Sequence, residues 1–151
     1  YCDCHMLDTI AREPLWRHLI NYRCGTGHSV SFVGNVHEGP HALNGRNTVV
    51  FQPGMIVTDE PGVYEGGQVG IRIENELMCV HKADNQYGTF LGFEPIMFVP
   101  IATSPVVPGV LTRDELDWLN AYHREVFTKL APRLTEEERD WLAKKCAAIG
   151  A

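Results

Sequence analysis

Two Thr-x-x-Glu boxes, Thr112 to Glu115 and Thr135 to Glu138, limit what this 151-residue chain can fold into more than any other feature. In each, the threonine hydroxyl can accept the backbone N–H three residues on while the glutamate reaches back, so each box predicts a helix start. Leu116, Leu119, His123, Val126, Phe127 and Leu130 fall on one face of the first helix, and Trp141, Leu142 and Ile149 belong to the second. The first hundred residues read differently. Leu7–Ile20 has near-helical apolar spacing, with Asp8 as the expected N-cap and Pro14 badly placed for a long helix. Gly25–Asn47, dense in Gly, His and Asn, reads as loop with short strands. Thr48–Phe51, Met55–Thr58 and Val69–Val80 read as strands, the last alternating Val69, Ile71, Ile73, Leu77 and Cys79 against Arg72, Glu74, Glu76 and Met78. Ile101–Gly109, β-branched with two prolines, reads as an extended tether. The expectation is an α+β chain: strands and turns over 1–100, a helical extension over 101–151.

With 44% apolar and 21% charged residues the chain can bury a core. A net charge of −6 without a Lys/Arg cluster argues against a nucleic-acid partner, because nothing would neutralise phosphates. The apolar runs are too short for a membrane span, and the residues up to Asp8 are too polar for a secretory signal. Five scattered cysteines (Cys2, Cys4, Cys24, Cys79 and Cys146) fit reduced thiols in a cytoplasmic protein better than a disulfide framework. Cys2, Cys4 and His5 lack the second ligand pair of a zinc site.

Three residues carry the candidate chemistry. His28 sits in a loop whose glycines permit close backbone approach, Glu60 precedes Pro61-Gly62 at the end of a short apolar strand, and Glu74 lies two residues beyond Arg72 on one strand face. One imidazole and two carboxylates suit a divalent ion such as Mn, Co, Fe or Zn. Taken singly, each has a plainer reading: a loop hydrogen-bonder, a turn residue, and the solvated face of a strand whose Arg72 could hold Glu74. Those readings leave an α+β domain with no reaction assigned.

Taken together, four stretches change the reading. Tyr22-x-Cys24-Gly25-Thr26-Gly27-His28, Asn35-Val36-His37-Glu38-Gly39-Pro40, Pro53-Gly54 through Thr58-Asp59-Glu60-Pro61-Gly62-Val63-Tyr64, and Gly70-Ile71-Arg72-Ile73-Glu74-Asn75 occur in that order. They resemble the active-site motifs of the Xaa-Pro aminopeptidases, members of the pita-bread metallopeptidase family. Phe90 to Ile96 and Leu116 to His123 resemble the C-terminal extension of the longer members. The resemblance implies the C-terminal portion of a pita-bread fold and a centre of two divalent ions, manganese first, with zinc or cobalt as alternatives. His28 and Glu60 would bind one metal and Glu74 would bridge the pair. His37 would assist catalysis and bind the substrate carbonyl, Arg72 would order a metal carboxylate, and Cys24, where the family commonly has a histidine, would line the substrate pocket. The substrate would be a peptide with proline in second position, and the helical extension suggests a homodimer.

The family also uses two aspartates upstream of the metal histidine, and neither Asp3 nor Asp8 has their strand context or spacing. The chain is therefore expected to be a fragment that binds one ion or none and is inactive alone, the missing ligands coming from upstream in the same protein. Ser29 and Ser31 stand where glycines are usual. The alternatives are a prolidase-type dipeptidase, a methionine aminopeptidase (which the long tail argues against), and a metal-free relative serving as an interaction module.

Overall fold

The computed structural model describes residues 2–107 and 109–150, which fall in two compact units, Tyr1–Met97 and Phe98–Ala151. Pro108 of the expected tether lies outside the described residues.

The first unit opens with α1 (Cys4–Trp16). Its N-cap is Asp3, whose side chain accepts the Met6 N–H at 2.9 Å. This corrects the expected cap: Asp8 lies inside the helix and is only 2% exposed. Pro14 falls in the last turn, near the helix end. Short strands follow. β1 (Gly27–His28) pairs antiparallel with β2 (Ala42–Leu43). β3 (Ile56–Asp59) pairs with β6 (Asn75–Asn85), which pairs with β7 (Gly88–Pro95), giving a three-stranded antiparallel sheet ordered β3-β6-β7. β4 (Gly62–Glu65) and β5 (Val69–Arg72) form a separate hairpin.

Two expected strands are corrected. Val69–Val80 is not one strand, because the chain leaves the hairpin after Arg72 and enters the larger sheet at Asn75, with Ile73 and Glu74 between. Alternation runs through that break unmarked. Thr48–Phe51 forms no strand, only an isolated bridge between Val50 and Asp3. Phe51 nevertheless joins Cys4, Leu43, Val57 and Cys79 in the core of this unit, which fills because α1 and the sheet each present apolar faces. Burying Leu43, Phe51 and Val57 contributes roughly 1.5–3 kcal/mol each.

In the second unit α2 (Arg113–Leu130) and α3 (Glu136–Lys145) begin at complete capping boxes on Thr112 and Thr135. Tyr122, Val126 and Leu142 form the core, with Phe98, Ile101 and Phe127 packed on it. Ile149 lies beyond the end of α3, correcting its expected helical place, and its backbone is gripped by both amide atoms of Asn120 at 3.0 Å. Trp141 is largely exposed. All five cysteines are free thiols. Cys4 is buried in the core, away from any role as a metal clip.

Candidate metal centre

β1 and β3 carry the site. Gly27 presses so closely on β3 that a Cβ there would stand 1.7 Å from the Thr58 carbonyl oxygen. Only glycine permits this approach, and it brings the next residue, His28, against the end of β3. The Thr58 hydroxyl oxygen accepts the His28 backbone N–H at 3.0 Å and donates its own hydrogen to Glu60 Oε1 at 3.0 Å. The imidazole Nε2 of His28 lies 3.0 Å from the same Oε1. Its Nδ1 faces the Ser29 carbonyl at 3.1 Å and must donate there, since a carbonyl only accepts. That bond turns Nε2 towards Glu60.

Glu60 is 9% exposed and follows β3, its backbone N–H donating to the Thr26 carbonyl at 2.6 Å. Its second oxygen, Oε2, takes a guanidinium N–H of Arg72. The hairpin register explains this partner. Gly62, two residues past Glu60, pairs with Arg72 across β4 and β5. The missing side chain at Gly62 leaves room for Tyr64, whose hydroxyl accepts Arg72 Nε at 2.6 Å. That hydrogen bond, and then the charge of Glu60, raise the already high pKa of Arg72. Arg72 thus serves Glu60, whereas the sequence suggested Glu74.

The other expected site residues are placed as follows. His37 is exposed, with its ring centroid 3.9 Å from that of His28. Cys24 is half-buried, its thiol 3.7 Å from the Gly62 carbonyl. Glu74 is exposed in the connection between β5 and β6. Ile71 and Ile73, the apolar residues that alternate with Arg72 and Glu74, are both 53% exposed. Among the described residues, no three His, Cys, Asp or Glu side chains converge as a metal site.

The donors that do converge fit a divalent ion. Neighbouring ligands at right angles, each about 2.1 Å from a metal, stand about 3 Å apart, which is the separation of His28 Nε2 and Glu60 Oε1. An imidazole nitrogen and a carboxylate oxygen suit a borderline or hard ion. Sequence reasoning missed Thr58 and Tyr64 as partners, although both lie inside quoted motifs. It also missed Asp59, a half-buried carboxyl whose pKa is raised by burial, and it gave Thr26 no role.

Residues 2–81 match the model of metallopeptidase family M24, and residues 89–149 match that of the C-terminal region of peptidase M24. Aminopeptidase P1 of Lotus japonicus is 42% identical over 97% of this chain and 23% of its own length. Aminopeptidase P2 of Arabidopsis thaliana is 46% identical over 91% of this chain and 20% of its own length. The crystal structure of an X-prolyl aminopeptidase from Caenorhabditis elegans, described as a cytosolic enzyme with a di-nuclear active site, superposes with a TM-score of 0.87 at 36% identity, covering 99% of this chain and 26% of that one. The chain therefore spans about a quarter of the length of the relatives it matches. Its α+β arrangement is that of the C-terminal part of the pita-bread fold with a helical end. With the family model covering more than half of its residues, His28, Glu60 and Glu74 among them, the chain belongs to metallopeptidase family M24.

Proposed function

We propose that these residues are the metal-ligand-bearing C-terminal part of an Xaa-Pro aminopeptidase, which removes the N-terminal residue from peptides with proline in second position. One observation carries the reading: the His28–Glu60 pair, held by Thr58 and Arg72, lies in a chain alike over nearly its whole length to proteins named aminopeptidase P.

In the complete polypeptide His28 and Glu60 would hold one divalent ion and Glu74 would bridge to a second, the remaining ligands coming from outside these 151 residues. Manganese is the first choice, with zinc or cobalt as substitutes. When bound, such a pair of ions acidifies a water and polarises the scissile carbonyl. This chain's own residues orient the participants. Thr58 and Arg72 each take one oxygen of Glu60, so the carboxylate presents a fixed face, and Ser29 holds the His28 ring by Nδ1. His37, whose exposed ring lies 3.9 Å from that of His28, would donate a hydrogen bond to a carbonyl oxygen as charge builds there. Cys24 would line the pocket for the substrate. A homodimer formed through Leu111–Ile149 and a cytoplasmic location belong to the same proposal. Among the described residues, no helix is long and apolar enough to cross a membrane.

The test is hydrolysis of Xaa-Pro-Yaa tripeptides and Xaa-Pro dipeptides by the full-length polypeptide with Mn²⁺. Release of the first residue from tripeptides, abolished by Glu60→Gln and by Glu74→Ala, is expected. The 151-residue chain alone should turn over no faster than its own Glu74→Ala variant. Cleavage of dipeptides alone would make the protein a prolidase, and a full-length polypeptide with neither turnover nor bound metal would be an interaction module.

A further inference from the structure

Residues 8, 12 and 26 form a buried polar cluster that the proposed reaction does not use. Asp8, in the second turn of α1, is 2% exposed. One of its oxygens accepts Arg12 Nε at 2.8 Å and the other accepts the Thr26 hydroxyl. Arg12 spends its other N–H groups on the following loop, donating to the carbonyls of Tyr22 at 2.7 Å and Cys24 at 2.8 Å and to the Asn21 side chain at 3.2 Å. Its guanidinium lies 4.1 Å from the centre of the Tyr22 ring.

Taking a carboxylate and a guanidinium out of water is costly, and a helix can dock on a loop through apolar contacts alone. What the charged pair adds is direction. A guanidinium fork and a carboxylate accept partners only at fixed angles, so the 21–26 loop has one register against α1.

Thr26 passes that register to the metal centre. It is 0% exposed and has four hydrogen-bond partners. Its hydroxyl donates to Asp8 and accepts from the Tyr22 hydroxyl, its N–H donates to the Leu43 carbonyl at 2.8 Å, and its carbonyl accepts the Glu60 backbone N–H at 2.6 Å. Two residues later comes His28. A shift of Thr26 would therefore move the backbone of both converging donors.

We propose that Asp8, Arg12 and Thr26 are positioning residues that set the separation of His28 and Glu60 and hence the affinity of the site for its ion. This rests on the reading of His28 and Glu60 as metal ligands.

The experiment measures Mn²⁺ affinity by calorimetry on the metal-stripped full-length polypeptide, together with its thermal stability and the hydrogen exchange of the Thr26–His28 amides. Thr26→Val removes the hydroxyl at nearly constant shape, Thr26→Ser keeps it, and Arg12→Lys keeps the charge but loses the fork to Tyr22 and Cys24. The expected result is Mn²⁺ binding weakened about 10- to 100-fold in Thr26→Val and Arg12→Lys, the range usual for groups that orient metal ligands. Amide exchange at 26–28 should quicken in both, and Thr26→Ser should restore the parent affinity. If Thr26→Val and Arg12→Lys lower thermal stability yet bind Mn²⁺ as the parent does, while Glu60→Ala abolishes binding, the cluster is structural only and the proposal fails with the metal site intact. If Glu60→Ala also binds as the parent does, the metal site itself fails and the proposal with it.

Discussion

The two units of this chain are stabilised in opposite ways. In Phe98–Ala151 each helix starts at its own capping box and the core cluster is apolar, with a few hydrogen bonds such as Asn120 to Ile149 and His123 to Ile101 tying the segments together. In Tyr1–Met97 the decisive contacts join residues far apart in sequence, from Asp8 to Thr26, from His28 to Thr58 and from Glu60 to Arg72. Many of these are buried polar contacts. A helical unit of the first kind tolerates the loss of a cap. A network of the second kind leaves a stranded charge when one member is removed.

Substitutions can break or sharpen that contrast. The largest loss should come from Asp8→Ala, which strands the Arg12 guanidinium and is expected to cost about 3–5 kcal/mol in urea denaturation of the full-length polypeptide. A loss below about 1 kcal/mol would mean that the buried pair is no more than surface-like. Leu142→Ala, which opens the core of the helical unit where Leu142 is 2% exposed, should cost about 2–5 kcal/mol. Its effect on hydrogen exchange should stay within residues 98–150. Thr112→Ala and Thr135→Ala should each cost about 1 kcal/mol, read as faster exchange in the first turn of α2 or α3 only.

The smallest effect is a pH dependence. His123 is buried, which pushes its pKa below the usual histidine value, and its Nε2 accepts the Ile101 N–H at 3.1 Å. The unfolded chain takes up a proton near pH 6.5 that the folded ring resists. Stability of the helical unit should therefore be complete above that pH and decline as pH falls towards 5. Thermal denaturation at the two ends of that window should show the decline in the parent and not in His123→Gln.

The same contrast governs how much could be read from the sequence. Thr112 and Thr135 announced their helices because a capping box closes within four residues. His28, Glu60 and Arg72 were legible only as members of an ordered set of motifs. That Arg72 meets Glu60 was not legible at all, because it depends on the β4–β5 register and on the room Tyr64 finds over Gly62. Asp8 was misread as a cap because aspartate suits both a cap and an ion pair. The i,i+4 spacing to Arg12 was the available clue. β4 and β7 went unpredicted, Gly62 and Gly92 weakening the strand pattern of each.

The contact of Gly27 with Thr58 sets a boundary on how this protein can vary. Where a loop is tuned by its side chains, saturation mutagenesis returns a graded series of tolerated replacements. At position 27 there is no such gradient, because even alanine's methyl would collide with main chain that no rotamer change can move. A mutational library should therefore show glycine alone surviving at this position, with the neighbouring loop residues far more permissive.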